Sequence, residues 1–311
     1  IVRVAQQGIT HPFGDHLTVK QAFPAGIDTK AADPFLMCDY FDAKESQGKA
    51  KHDDEFPIDW HPHRGFDICS YLKSGTGRHG DSLGNRETYE TPGMQWMSTG
   101  SGVVHAEGGA NEKGQSVQGF QIWINVPAGK KMDDPRYGTV PTKDLPLVNV
   151  DLGFSARVLA GNAWGVTGPF ATVQDVLMID LELDNQGDGT SITTGCLDVT
   201  KDLDTAMLYI YEGAMRVNSQ ETIIEAGNIV LFDASSDEKR GIELATIKDS
   251  SSGGKAILFA GKKLKEPVAW HGPIVMNTQR QIQETLRELR SGEFPPIRVD
   301  WDYKRIATRP K

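Results

Sequence analysis

Three cysteines in 311 residues rule out a disulfide framework: Cys38, Cys69 and Cys196 lie far apart, are odd in number and have no CxxC neighbour. Such usage suits a reducing compartment. No apolar run is long enough to span a bilayer, and the opening Ile1-Val2-Arg3-Val4-Ala5-Gln6-Gln7 has no extended apolar core before a cleavage-like site. A cytoplasmic protein without membrane contact is expected, nuclear as well if the source is eukaryotic. A basic excess is also missing. Against 33 Lys plus Arg stand 42 Asp plus Glu, a formal charge of −9. With no basic field to displace counterions from phosphates, direct nucleic-acid binding is not expected, and Lys262-Lys263-Leu264-Lys265 reads as a solvated face or turn. Histidine, finally, is absent between His105 and His271.

What is present describes a turn-rich globular chain. Its 33 glycines and 16 prolines are scattered, and 38% hydrophobic residues over this length suffice for two cores. Short strands separated by Gly-rich turns recur at 35–41, 68–72, 94–97 and 118–125, the last alternating polar with apolar positions. This spacing favours a sandwich or barrel over βαβ units. Residues 130–144, with Pro135 and Pro141, read as a linker, after which the β pattern restarts. A weak internal repeat follows: Tyr71-Leu72-Lys73-Ser74-Gly75 with Pro92-Gly93-Met94-Gln95-Trp96 is echoed by Tyr209-Ile210-Tyr211-Glu212-Gly213 with Ala226-Gly227-Asn228-Ile229-Val230. Lacking histidine, the second copy is expected to carry no site.

Near the end, Thr278 with Gln281 makes a capping box. Ile282, Leu286 and Leu289 keep helical spacing, and Gly292 supplies the stop. The charged face of this short helix, Arg280, Glu284, Arg287, Glu288 and Arg290, reads as solvated. The polar tract at 42–59 reads as a surface loop near a pocket mouth.

The chemistry concentrates between 61 and 107. Alternate residues of a strand share a face, so His61 and His63 aim one way, and so do His105 and Glu107. One His-x-His pair means little, but a second pair after a strand, a turn and a strand makes a pocket of three imidazoles and a carboxylate. This donor set, without thiolate, suits Fe(II), Mn(II), Ni(II), Cu(II) or Zn(II), with iron first, and leaves positions open for substrate or O2. His79 is a candidate for the pocket lining. His11, His16, His52 and His271 read as surface or hydrogen-bonding residues. Phe66, Trp96, Met97 and Phe120 are candidates for an apolar wall.

Four ordered motifs carry a family resemblance: His61-Pro-His-Arg-Gly-Phe-Asp67; Gly93-Met-Gln-Trp-Met97 with Ser101-Gly-Val-Val-His-Ala-Glu107; Gly119-Phe-Gln-Ile-Trp-Ile-Asn-Val-Pro127; and Glu266-Pro-Val-Ala-Trp-His-Gly-Pro-Ile-Val-Met-Asn-Thr278. Over nearly its whole length the chain resembles the pirin family of the cupin superfamily. The resemblance implies an all-β bicupin, two tandem β-sandwich barrels with a short C-terminal helix. Residues 1–135 would form the metal-binding cupin, 136–265 a cupin without ligands, and 266–311 the helix and tail. It implies iron on His61, His63, His105 and Glu107. Asp67 stands where cupins commonly carry Glu, and its shorter reach places it behind the ligands. The 42–59 tract is longer than the family pattern. For activity, the resemblance implies a quercetin 2,3-dioxygenase: a flavonol meets O2 at the metal, Glu107 takes the hydroxyl proton, the central ring opens and CO leaves. The alternative it implies is a regulator, an iron-dependent partner of transcription factors in eukaryotes or a module that binds a metabolic enzyme in bacteria.

Overall fold

Alternating apolar and polar positions draw most of the chain into antiparallel strands in the computed structural model, which describes residues 1–8, 10–13, 17–43, 56–110, 116–185, 192–200, 202–218, 223–233, 240–247 and 253–305. Most of the tract at 42–59, with His16 and His52, lies outside the described residues. Besides the expected C-terminal helix there is a one-turn helix, Thr29–Ala32, whose N-terminus is capped by the Asp28 carboxylate accepting from the backbone N–H of Lys30 and Ala31. No helix among the described residues is long and apolar enough to cross a membrane.

Contacts group the chain into two units. One comprises Ile1–Ile9, Gln21–Leu36 and Lys143–Lys263; the other comprises Thr10–Lys20, Met37–Thr142 and Leu264–Lys311. These differ from the expected linear cuts at 135 and 265, and strand pairing is the reason. Arg3–Gln6 pairs with Asn228–Leu231, Ala5 opposite Ile229, so the first residues fold with the histidine-free unit. The C-terminal segment folds with the histidines: the Val275 N–H donates to the Arg64 carbonyl at 3.0 Å.

In the histidine-bearing unit the larger sheet runs in the order Arg136–Val140, Gly93–Ser98, Phe66–Ser74, Val117–Asn125, Phe35–Ala43, Leu17–Phe23 and Thr10–Phe13. The smaller runs Ile58–His63, Val103–Ala110, Thr76–Asp81 and Arg86–Tyr89. Side chains on the inner faces of the two sheets meet at Glu107, which accepts from Ser70, Gln95 and Gln121 across the gap. These three residues fix which positions of their strands look inward.

The C-terminal helix Gln279–Ser291 has the capping box at Thr278 and Gln281, and ends at Gly292 in the left-handed conformation (φ 77°). It lays Ile282 and Leu286 on the hairpin Ala269–His271 and Ile274–Met276, where Ala269, Ile274 and Met276 complete a small core. Glu288 corrects the reading of a wholly solvated charged face, because it turns inward to pair with buried Arg64.

The histidine-free unit is organised on Thr205–Val217. The first half of this strand pairs with Asn228–Leu231 and Gly254–Gly261, the second half with Ile223–Glu225 and Arg240–Ala245. Gly213 (φ 67°) sits at the change, where any Cβ would fall 2.1 Å from the Gly253 carbonyl oxygen. Inside lie Leu177, Ile179, Leu181, Leu208, Ile210 and Leu258 with Phe154, Phe232 and Met215. The repeat is one residue out in register: Tyr71 stands opposite Met94, whereas Tyr209 stands opposite Ile229, one position past Asn228, the residue aligned with Met94.

Candidate metal centre

His61 and His63 end the strand Ile58–His63, and His105 lies on the neighbouring strand directly opposite His61. Ligand nitrogens of the three lie within 4.8 Å of one another, and Nε2 of His61 is 2.9 Å from Nε2 of His105. Two nitrogens bound at right angles to one cation, each about 2.1 Å from it, would sit about 3 Å apart. The tautomers suit this use. Nδ1 of His61 donates to the Asp59 carbonyl at 2.7 Å and Nδ1 of His63 to the Pro273 carbonyl at 3.3 Å, which leaves both Nε2 atoms unprotonated, that of His61 facing His105 and that of His63 without a partner.

His63 Nε2 and His105 Nδ1 are buried without a hydrogen-bond partner. Burial, followed by the charge of neighbouring His61, holds His63 well below the ordinary imidazole range; burial with His61, His63 and His79 does the same to His105. A neutral imidazole with an orphaned nitrogen, as at His63 Nε2, is what a divalent cation requires of a ligand, whereas His105 faces the cluster through Nε2 and its orphaned Nδ1 is the other ring nitrogen. The residues present therefore fit a metal.

Glu107 stands just outside the three. Its Oε1 is 3.8 Å from His105 Nε2. Oε2 accepts from Ser70 Oγ at 2.9 Å and Gln95 Nε2 at 2.5 Å, and Oε1 accepts from Gln121 Nε2. A carboxylate offers about four acceptor sites. Among the described residues three are filled, and the one left over belongs to Oε1, the oxygen that faces His105. Beside Glu107 a cavity of about 20 Å³, lined by Val19, Phe41, Ile58, Leu72 and Tyr89, has room for about one water.

The other candidates divide by strand face. Phe66 shares the inward side with Ser70; its ring lies 5.4 Å from that of His63 and 4.5 Å from that of Trp123. Met97 shares the inward side with Gln95 and is buried. His79 is paired in register with Glu107, its ring 5.6 Å from that of His105, yet it is tied to Asp81 at 3.0 Å, lies stacked on Tyr137 and is not among the converging nitrogens.

Phe120 corrects the wall reading. Its neighbour Gln121 points inward, so Phe120 points outward and packs on Tyr40 and Tyr71. Trp96, next to inward Gln95, likewise turns outward, with the Arg136 guanidinium 5.7 Å from its ring centre. Asp67 is buried on the outward side of its strand, where its charge acts on Lys131. His271 is exposed, as expected.

Several residues of the site escape a reading of spacing alone. Trp123, with its ring 5.3 Å from that of His63 and 6.0 Å from that of Trp270, forms the wall beside Phe66. Ser70, Gln95 and Gln121 hold Glu107. The available signal was a polar residue at an inward position of an otherwise apolar strand.

Two facing sheets in one unit, the same architecture in the other and a histidine cluster inside the first define a bicupin. Its N-terminal part matches the Pirin family model over residues 16–124, and residues 194–295 match the Pirin C-terminal cupin domain. The chain belongs to the pirin family. It is 32% identical to a pirin-like protein of Caulobacter vibrioides, over 84% of this chain and 87% of that one. It is 34% identical to a Thermoplasma acidophilum protein provisionally named quercetin 2,3-dioxygenase, over 80% and 95% of the two chains. The crystal structure of quercetin 2,3-dioxygenase from Acinetobacter baumannii superposes with a TM-score of 0.81 at 27% identity, covering 94% of this chain and 97% of that one. A bacterial pirin of Escherichia coli, solved with nickel(II), shares the fold at 16% identity and a TM-score of 0.58, over 84% and 99% of the chains.

Proposed function

We propose that this chain is a metal-dependent dioxygenase of the quercetin 2,3-dioxygenase type, with His61, His63, His105 and Glu107 as the metal-binding set and Fe(II) as the first candidate ion. Mn(II), Ni(II), Cu(II) and Zn(II) suit the same donors. The observation that carries the proposal is the convergence of three imidazoles beside a carboxylate with one acceptor site to spare. When bound, the metal supplies Lewis acidity for a flavonol's 3-hydroxyl and 4-carbonyl and an electron path to O2.

The chain's own residues do the rest. Glu107 would use its one remaining site, on Oε1, in turn: as ligand before substrate arrives and, released from the metal, as base for the 3-hydroxyl proton, while Ser70, Gln95 and Gln121 hold the carboxylate in place. Phe66 and Trp123 give the planar substrate an apolar wall and keep water from the reacting carbons. The cavity behind Glu107 is too small for a flavonol, so the substrate approaches from the histidine side. One flavonol and one O2 become the ring-opened ester and CO, with both oxygen atoms retained in the ester.

The test is anaerobic reconstitution with Fe(II), then quercetin and air, following flavonol absorbance and CO, with Glu107→Ala in parallel. Metal-dependent consumption with CO release, lost in the variant, supports the proposal. Iron uptake without turnover would sink it and favour the second reading, a module that presents a metal-dependent surface to a transcription factor or metabolic enzyme. The net charge of −9 suits a protein partner better than a nucleic acid. Partner recovery that is identical with Fe(II), Fe(III) and apo protein would count against that reading.

A further inference from the structure

The turn that carries His63 is bonded at two consecutive residues to a segment some 210 positions later in the chain, and at a third through Lys131. His63 Nδ1 donates to the Pro273 carbonyl at 3.3 Å. The Arg64 carbonyl accepts from the Val275 N–H at 3.0 Å. The Gly65 carbonyl accepts from Lys131 Nζ at 2.7 Å, and the same ammonium reaches the Val275 carbonyl at 3.2 Å. Gly65 has φ +88°, and a Cβ there would fall 2.2 Å from the Val275 oxygen, so the two backbones meet where only glycine fits.

Arg64 extends this bonding to the C-terminal helix. Its side chain is buried. Nε donates to the Ser101 carbonyl at 2.7 Å, Nη1 to Thr285 Oγ1 at 2.8 Å and Nη2 to Glu288, and the guanidinium lies 4.9 Å from the Phe294 ring centre. Thr285 donates its own proton to the Gln281 carbonyl at 2.9 Å, which turns its lone pairs towards Arg64. A rigid planar fork held at three corners fixes the backbone next to His63 far more tightly than a solvated arginine would.

We infer that the C-terminal arm, residues 264–305, positions the metal site: Pro273 and Val275 directly, and Thr285 and Glu288 through Arg64, set the direction of the His63 imidazole, so metal affinity depends on a helix that supplies no ligand. The inference rests on the reading that His61, His63 and His105 hold a metal. Thr285 and Glu288 are positioning residues, and groups that orient a ligand typically govern affinity by 10–100-fold.

The experiment uses the full chain and Co(II) as probe, with the dissociation constant read by competition against a chromophoric chelator. The visible d–d spectrum reports ligand geometry, and urea unfolding of the apo protein reports the fold. Thr285→Val keeps the shape and removes the acceptor, Thr285→Ser restores it, and Glu288→Gln keeps an acceptor without the charge. The expected result is a Co(II) dissociation constant raised about tenfold in Thr285→Val with an altered d–d band, and both restored in Thr285→Ser. Glu288→Gln, which leaves the helix buried face intact, is expected to move both readouts the same way. Unchanged affinity and spectrum in folded Thr285→Val and Glu288→Gln would overturn the inference. Wild-type protein that takes up no Co(II) would overturn the metal reading itself, and the inference with it.

Discussion

The two units share a strand plan and differ in what fills it. In the histidine-free unit the inner positions of Val176–Leu183 and Gly254–Gly261 are Leu177, Ile179, Leu181, Leu183, Ala256, Leu258 and Ala260. In the histidine-bearing unit the inner positions include Ser70, Gln95, Gln121 and Glu107, and the carboxylate is matched donor by donor. A β-sandwich closed with aliphatics is held by its strand ladders and by burial. One lined with imidazole and carboxylate is held partly by a hydrogen-bond network that makes sense around a ligand. Stability and chemistry are thus separable properties of one architecture.

The largest effect that tests this separation is loss of the carboxylate. Glu107→Ala is expected to lower flavonol consumption per bound metal by about 10²-fold or more, the usual weight of a positioned base. It strands the donors of Ser70, Gln95 and Gln121, so the apo protein should also unfold at lower urea. A variant with full turnover would remove Glu107 from the mechanism. In the filled unit the expectation reverses. Leu258→Ala, at a fully buried position, should destabilise by about 2–5 kcal/mol while metal stoichiometry and turnover per metal stay unchanged. Loss of metal in a chain that remains folded would show that the units are not independent in function.

How far this contrast was legible beforehand depends on the kind of signal. The His-x-His and His-x-Glu pairs were readable because the strand period of two puts alternate residues on one face, and the run without histidine between 105 and 271 fell into the histidine-free unit. The C-terminal helix was readable from its capping box and stop, both strictly local. Phe120 and Trp96 were misplaced because both faces of their strands are buried: hydrophobicity alone does not say which side is inner, and only the contacts of Gln121 and Gln95 settle it. The unit boundaries failed for a non-local reason. Nothing in the first six residues announces that Arg3–Gln6 will pair with a strand more than 220 positions away. Likewise Glu288 looks like any solvated glutamate until Arg64 is brought beside it.

Lys131 sharpens the contrast from the side of charge. It is a buried amine in the histidine-bearing unit, its ammonium held by the Gly65 carbonyl, Asn125 Oδ1 and the Val275 carbonyl. Burial lowers its pKa from 10.5 to about 8, against the opposing pull of Glu266 and Asp67. A basic group with a depressed folded pKa binds its proton more tightly when unfolded, so between about pH 8 and 10.5 the unfolded state carries more protons and stability rises with pH. The full swing is on the order of 3 kcal/mol. Buried Cys38, Cys69 and Tyr89, with raised pKa values, act in the opposite sense at the upper end of that window. The informative quantity is therefore the difference between wild type and Lys131→Met in urea unfolding, which should move in favour of wild type as pH rises from 8 to 10.5. A difference flat across that range would mean the ammonium is as well solvated in the fold as out of it.

The smallest effect is expected at the helix cap. Thr278 caps the C-terminal helix, its hydroxyl accepting from the Gln281 N–H while the Gln281 side chain reaches back to the Thr278 backbone. Thr278→Ala should destabilise by about 1 kcal/mol, the usual weight of an N-cap, and fray the first helical turn. Thr285 and Glu288 lie further along the helix, anchored by Ile282 on the hairpin and by Arg64, and fraying decays within a turn. Hydrogen exchange should therefore speed up at residues 279–282 and stay at the wild-type rate at Thr285 and Glu288, with Co(II) affinity unchanged. If affinity fell together with the cap, the whole helix would be acting as one cooperative lever on His63, and the hold on the metal site would extend from its two contact residues to the end of the helix.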